Sequence, residues 1–447
     1  VSFAVSLAHS DKIVSNEFKK SGSTVIRIKP EYDENNLPNF ESIRKCFEKV
    51  ERLINEGKAK AVWAVSFGGV AEAVAKMAFG NRIGFKFSKK IDDRELFEPV
   101  YGSFIIELAD GVNTSEEILG TTSDEYKIDY LTYSVSLDEM QEKWESRLEP
   151  VFPTKVKETS TAAKIFSYTT DSHKKSSLKI AKPRVLIPVF PGTNCEYDSA
   201  RAFERAGAIP DIFVIKNLSS RGIADSIAEI EKEIKQSQII MLPGGFSGGD
   251  EPDGSAKFIT AFFRNPRIKD AVHELLNNRD GLMLGICNGF QALIKLGLVI
   301  SGQITELADD SPTLTFNKIG RHQSMMVNTR IASDKSPWLM GTETGDIHRV
   351  AISHGEGRFI ASEKMIKKLA ENGQIATQYV NLDGEPSMDI RYNPNNSIEA
   401  IEGITSPDGR VFGKMGHSER MGKYICKNVQ GNKDQQIFES GVRYFTD

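Results

Sequence analysis

Apolar and polar residues alternate along this chain with two different periods, and the period predicts the element. In the first part of the chain TVIRIKP reads as a strand, FESIRKCFEKVERLINEG carries apolar residues at helical spacing, AVWAVS is strand-like again, and Val70 to Ala78 is helical. Residues 1–147 are therefore expected to form a small α/β domain. The opening VSFAVSLAH also reads as a strand, and a chain that begins inside an element is expected to be the continuation of a longer one. Between Pro150 and Pro183 the composition turns to Ser, Thr and Lys with few apolar positions, so residues 148–182 read as an interdomain linker.

The alternation then sharpens. PRVLIPVF, DIFVIK, QIIML and LMLG are short apolar strands separated by the helical stretches NCEYDSARAFERAGA, SIAEIEKEIKQ, KFITAFFRN and KDAVHELLNN. Strand–helix alternation with short connections predicts a doubly wound, mostly parallel sheet over residues 183–447, with functional loops at the carboxyl ends of its strands. The length of 447 residues fits two or three domains. A balance of 57 basic against 61 acidic residues gives no electrostatic surface for nucleic acid, and no apolar run is long enough to cross a membrane. Four scattered cysteines, Cys46, Cys195, Cys287 and Cys426, form no metal-ligand pair and point to a reducing, cytoplasmic setting without a disulfide framework or bound metal.

One of those cysteines has the setting of a nucleophile. Gly285-Ile286-Cys287-Asn288-Gly289 lies between the strand LMLG and the helix FQALIKLG, with glycines two positions either side of Cys287, where a sharp strand-to-helix turn has no room for side chains. The helix that follows would lower the thiol pKa. A nucleophilic thiol needs a base, and two histidines carry a carboxylate at i+2: His417 with Glu419, and His354 with Glu356. Spacing does not choose between them. The loop Pro243-Gly244-Gly245-Phe246-Ser247-Gly248-Gly249-Asp250 follows a strand of the same sheet and offers backbone amides to an oxyanion, with the amide of Asn288 as a second donor. In the first domain, Gly68-Gly69 opens a helix and reads either as close backbone packing or as an anion contact.

The stretches PGTNCEYDSARAFERAGA, LPGGFSGGDEPDGSAKF, GICNGFQALIKLGLV, ISHGEGRF and MGHSER resemble the class I glutamine amidotransferases, and among them the phosphoribosylformylglycinamidine synthase family of purine biosynthesis. The resemblance implies a flavodoxin-like glutaminase domain whose triad is Cys287, His417 and Glu419, with Gly244, Gly245, Phe246, Asn288, Gln291, His354 and Glu356 around the oxyanion and glutamine. It also implies that residues 1–147 are the C-terminal half of a synthetase domain built like aminoimidazole ribonucleotide synthetase. Here Ser66-Phe67-Gly68-Gly69 departs from the Ser-Asp-Gly-Gly of many relatives, so no role of that Asp carries over. The implied substrates are glutamine, formylglycinamide ribonucleotide and ATP. No cofactor is expected in the glutaminase domain, while ATP and Mg2+ are expected for the full enzyme, whose remaining synthetase region would lie upstream in the same polypeptide. Another elbow-cysteine hydrolase and a non-catalytic interaction fragment are the alternative readings.

Overall fold

The structure, a computed structural model, describes residues 3–35, 37–156, 162–249 and 255–447. It divides into two compact units, Val1–Phe152 and Pro153–Asp447.

In the first unit a seven-stranded sheet runs in the order Ala59–Ala64, Phe104–Leu108, Thr24–Ile28, Glu117–Ser123, Gly84–Phe87, Lys127–Tyr130, Tyr133–Ser136. Its pairs are antiparallel except that between Gly84–Phe87 and Lys127–Tyr130. Strand alternation sends Val25 and Ile105 to one face, against Ala73, Val74 and Met77 of the helix Gly69–Asn81, and Ile26 and Ile106 to the other, against Cys46 and Val50 of the helix Phe40–Asn55. The expected strand at the start is not formed. Phe3, Val5 and Leu7 are almost fully exposed and no strand of the sheet takes them as a neighbour.

Gly68-Gly69 is resolved by its contacts. A Cβ on Gly69 would lie 2.7 Å from the carbonyl oxygen of Leu96, so the glycine permits close backbone packing. The Gly68 amide donates to the Glu72 carboxylate at 2.7 Å, and the Ser66 hydroxyl donates to the same oxygen at 3.0 Å. The helix supplies its own anion.

The second unit is built on a nine-stranded sheet. Five strands are mutually parallel, in the spatial order Ile209–Val214, Arg184–Val189, Ile239–Leu242, Leu282–Ile286, Val411–Lys414. In chain order this is 2-1-3-4-5, the flavodoxin-like winding. The remaining strands, Ile401–Thr405, Ile375–Val380, Gln323–Ile331 and Ile347–His354, continue the sheet in antiparallel pairs. The expectation of a mostly parallel sheet thus holds for one half only. The physical reason is connection length: Ile401–Thr405 and Val411–Lys414 are joined by a turn through Pro407 and Gly409, too short for the crossover that a parallel pair needs.

The linker expectation also needs correction. Its described residues from Ala162 onward strap the second unit: Ala162 bridges Ser387, Tyr168 bridges Ser333, Phe166 and Ile180 pack on the core, and Ser176 and Ile180 donate to the carbonyls of Tyr444 and Phe445. A few apolar anchors and free backbone groups hold it where composition predicts a solvated chain. Residues 157–161 lie outside the described residues.

Candidate active site

The strand Leu282–Ile286 is wholly buried and ends at Cys287, where the backbone turns with φ 54° and ψ −108° and enters the helix Asn288–Lys295. A non-glycine residue in that conformation is strained and persists only when its surroundings hold it. Cys287 donates its N–H to the Lys414 carbonyl at 2.9 Å and accepts from the Gln291 amide at 3.1 Å. A Cβ at Gly285 would lie 2.5 Å from a methyl of Leu293, and one at Gly289 would lie 1.9 Å from the Leu242 carbonyl oxygen. The two glycines therefore let the helix sit hard against the strands, with its N-terminal end at the sulfur.

His417 follows the neighbouring strand Val411–Lys414. Its amide donates to the Ala351 carbonyl at 2.8 Å, and its Nδ1 lies 2.6 Å from a carboxylate oxygen of Glu419. Among the described residues Nε2 has no hydrogen-bond partner. Burial disfavours charge on the imidazole, but the Glu419 carboxylate and the Cys287 thiolate outweigh it and hold His417 well above its ordinary value. Burial likewise pushes the Cys287 thiol up, and the His417 charge together with the nearby His354 brings it down to about 6. Glu419, though buried, is held below the usual carboxylate range by His417. These shifts favour the thiolate of Cys287 and the protonated imidazole of His417.

His354 is oriented differently. Its Nε2 lies 2.6 Å from Asn395 Oδ1, and the Asn395 amide nitrogen donates to the Gly357 carbonyl at 2.9 Å and the Tyr379 hydroxyl oxygen at 2.8 Å. With both donors committed, Asn395 turns its oxygen to His354, so Nε2 carries a proton and donates to it. Glu356 is not its partner: Glu356 accepts from the Ser255 amide at 3.1 Å, and its carbonyl accepts from the Gln291 side chain. The i+2 carboxylate is engaged by its histidine in one of the two motifs only.

Cys287, Gly245, Phe246, Gln291, His354 and Glu356 all line one cavity of about 320 Å³, at the small end of ligand pockets. Within the glycine loop Phe246, Ser247, Gly248 and Gly249 donate their amides to Gly192, Asn288 Oδ1, Pro191 and Phe246 respectively. That leaves the Gly245 amide in the cavity wall without one of these bonds, whereas the Phe246 backbone is spent and Phe246 lines the cavity too. Gly244 does not line the cavity. A Cβ there would lie 2.8 Å from the His417 ring and 3.1 Å from Cys195 Sγ, so this glycine leaves room for the imidazole. Asn288 braces the site through its side chain, which accepts from Ser247 and donates to Gln291 Oε1 at 2.8 Å. Asp250 lies outside the described residues.

Sequence reasoning missed Asn395, the wall residue His322, and Cys195. The Cys195 thiol lies 3.9 Å from His417 Nδ1 and accepts from the Arg420 guanidinium at 3.2 Å. Cys195, His417 and Glu419 bring three potential metal donors within 4.8 Å. They do not suit a cation, because Nδ1 is committed to Glu419 and Arg420 already places a positive charge on the sulfur. Among the described residues no helix is long and apolar enough to cross a membrane.

An elbow cysteine beside a carboxylate-bound histidine, at the carboxyl edge of a doubly wound sheet, defines the class of thiol-dependent amide hydrolases. Residues 182–445 match the family model of the CobB/CobQ-like glutamine amidotransferase domain, and the chain belongs to that family. It is similar to phosphoribosylformylglycinamidine synthase subunit PurQ of Methanococcus maripaludis, at 32% identity over 283 residues covering 59% of this chain and 97% of that protein. The PurQ subunit of Treponema denticola is 36% identical over 281 residues, covering 59% of this chain and 99% of the relative. A solved structure of PurLQS from Thermotoga maritima aligns over 59% of this chain and 99% of its own at 25% identity and a TM-score of 0.43.

Proposed function

We propose that this chain is the glutamine-hydrolysing component of phosphoribosylformylglycinamidine synthase, with Cys287, His417 and Glu419 as its catalytic triad. The observation that carries the reading is the 2.6 Å His417–Glu419 pair beside an elbow thiol held down to about 6, within a stretch 36% identical to a PurQ subunit.

The Cys287 thiolate attacks the glutamine carboxamide carbon. The amides of Gly245 and Asn288 receive the oxyanion that develops, and His417 gives its Nε2 proton to the departing ammonia, leaving a thioester. His417, now neutral and steadied by Glu419, takes a proton from water as water attacks the thioester, and glutamate leaves with the thiol restored. His354, Gln291 and Glu356 line the glutamine pocket around the thiol.

The ammonia serves the ATP-dependent conversion of formylglycinamide ribonucleotide to formylglycinamidine ribonucleotide. Under this reading the first unit belongs to a synthetase domain like that of aminoimidazole ribonucleotide synthetase, and a synthetase is the partner that receives the ammonia. Gly68-Gly69 does not fit a phosphate, since Glu72 occupies the Gly68 amide. ATP and Mg2+ belong to the full enzyme under this reading, and no cofactor is assigned to the glutaminase domain. The test is glutamate release, with labelling by diazo-oxo-norleucine: modification confined to Cys287, with activity lost in Cys287→Ala, supports the reading, and labelled protein with an unmodified Cys287 refutes it.

A further inference from the structure

Beneath the His417 loop lies an ion pair with no part in the chemistry. Lys414 and Glu402 have side chains with no exposed surface, and Lys414 Nζ lies 3.2 Å from Glu402 Oε1. Burying two charges is a poor way to stabilise a fold, because well-packed apolar residues of similar volume usually do as well or better. The question is what the charges hold.

They hold Gly416 by both of its peptide groups. The Gly416 amide donates to Glu402 Oε1 at 2.6 Å, and Lys414 Nζ donates to the Gly416 carbonyl at 2.8 Å. The same ammonium donates to the Ser418 hydroxyl oxygen at 3.0 Å, and the Ser418 hydroxyl donates to Gln435. The residues before and after His417 are thus both tied to one buried nitrogen. A Cβ on Gly416 would lie 2.8 Å from a methyl of Val350, 2.9 Å from Glu402 Oε1 and 3.0 Å from Lys414 Nζ, so the ion pair and Val350 together leave room only for glycine.

Lys414 also reaches the nucleophile, since its carbonyl accepts the Cys287 amide at 2.9 Å and so braces the strained elbow. One residue therefore fixes the nucleophile through its backbone and the base through its side chain. Glu402 is anchored in turn, with Thr377 donating to its other carboxylate oxygen.

We propose that Lys414 and Glu402 are positioning residues that set the separation of Cys287 from His417, and that this, rather than stability, is why the ion pair is buried there. The proposal rests on the triad reading above. It concerns neither the identity of the base nor the binding of glutamine.

The variant Lys414→Met/Glu402→Leu in the full chain removes both charges with no change in net charge and leaves in place the groups that face the thiol: His417 and Arg420 on the loop, His354 on its strand, and Tyr379. Alkylation of Cys287 by iodoacetamide, followed on its own peptide by mass spectrometry across pH, reads the thiolate–imidazolium pair without turnover. The parent is expected to reach its half-point near 6. In the double variant the half-point moves up, alkylation at pH 7 slows by about tenfold, and kcat for glutamine falls by about 10²-fold with KM unchanged. An unchanged alkylation profile in a folded variant overturns the proposal, whether or not kcat or Tm has fallen. A variant that does not fold hands the same two readouts to the isosteric Glu402→Gln, read the same way. A parent Cys287 with an ordinary thiol profile sinks the triad reading instead.

Discussion

Asn395 holds His354 through a 2.6 Å contact to Nε2, across 41 residues of sequence, and so decides which face of that imidazole meets the cavity. The two histidines beside Cys287 are thereby unequal: a carboxylate holds the His417 ring, whereas an amide oxygen holds that of His354.

Removing each histidine should expose that difference. His417→Ala is expected to cut kcat for glutamate release by about 10³-fold or more, the scale of losing a triad base. His354→Ala and Asn395→Leu are expected to raise KM by about tenfold, the scale of one hydrogen bond to substrate, with a smaller change in kcat. Steady-state kinetics on the three variants checks the split.

Activity should fall on the acid side through about 6. The sign follows from the active form: the thiolate must be present, and the depressed Cys287 value is where it protonates. His417 must carry its proton to release ammonia, and because its value is raised well above the ordinary one, the alkaline limb lies above the ordinary imidazole range. A bell-shaped kcat/KM profile, reporting the pair jointly, is the expected result.

The elbow glycines should tolerate nothing larger. Gly289→Ala puts a methyl 1.9 Å from the Leu242 carbonyl, in a region where backbone must move to relieve it. A loss of about 3 kcal/mol or more in chemical denaturation is expected.

Gly244→Ala meets the His417 ring and the Cys195 thiol instead, both side-chain contacts. Here kcat is expected to fall by about tenfold or more, as the base is displaced, while denaturation midpoints move little.

How much of this could be read in advance depended on how local each constraint is. Cys287 was legible because strand, flanking glycines and helix sit within a few residues of one another. His417 and His354 shared one spacing, and what separates them, Asn395, lies on a distant loop, so sequence alone left them tied until a family resemblance favoured one. Lys414 and Glu402 had no signature, since a buried ion pair is made by sheet register and not by neighbours in the chain. The strap from Ala162 was misread for a related reason: its composition is that of solvated chain, and only the position of Phe166 and Ile180 against a core reveals that it is bound.

Glu72 has a consequence for any ligand of the first unit. A phosphate arriving at the Gly68 amide would compete with a carboxylate tethered four residues away, whose effective concentration is on the order of millimolar or above. The helix terminus is thus a site with a resident competitor, closed to stray anions and open only to a ligand that brings enough further contacts to evict its own side chain.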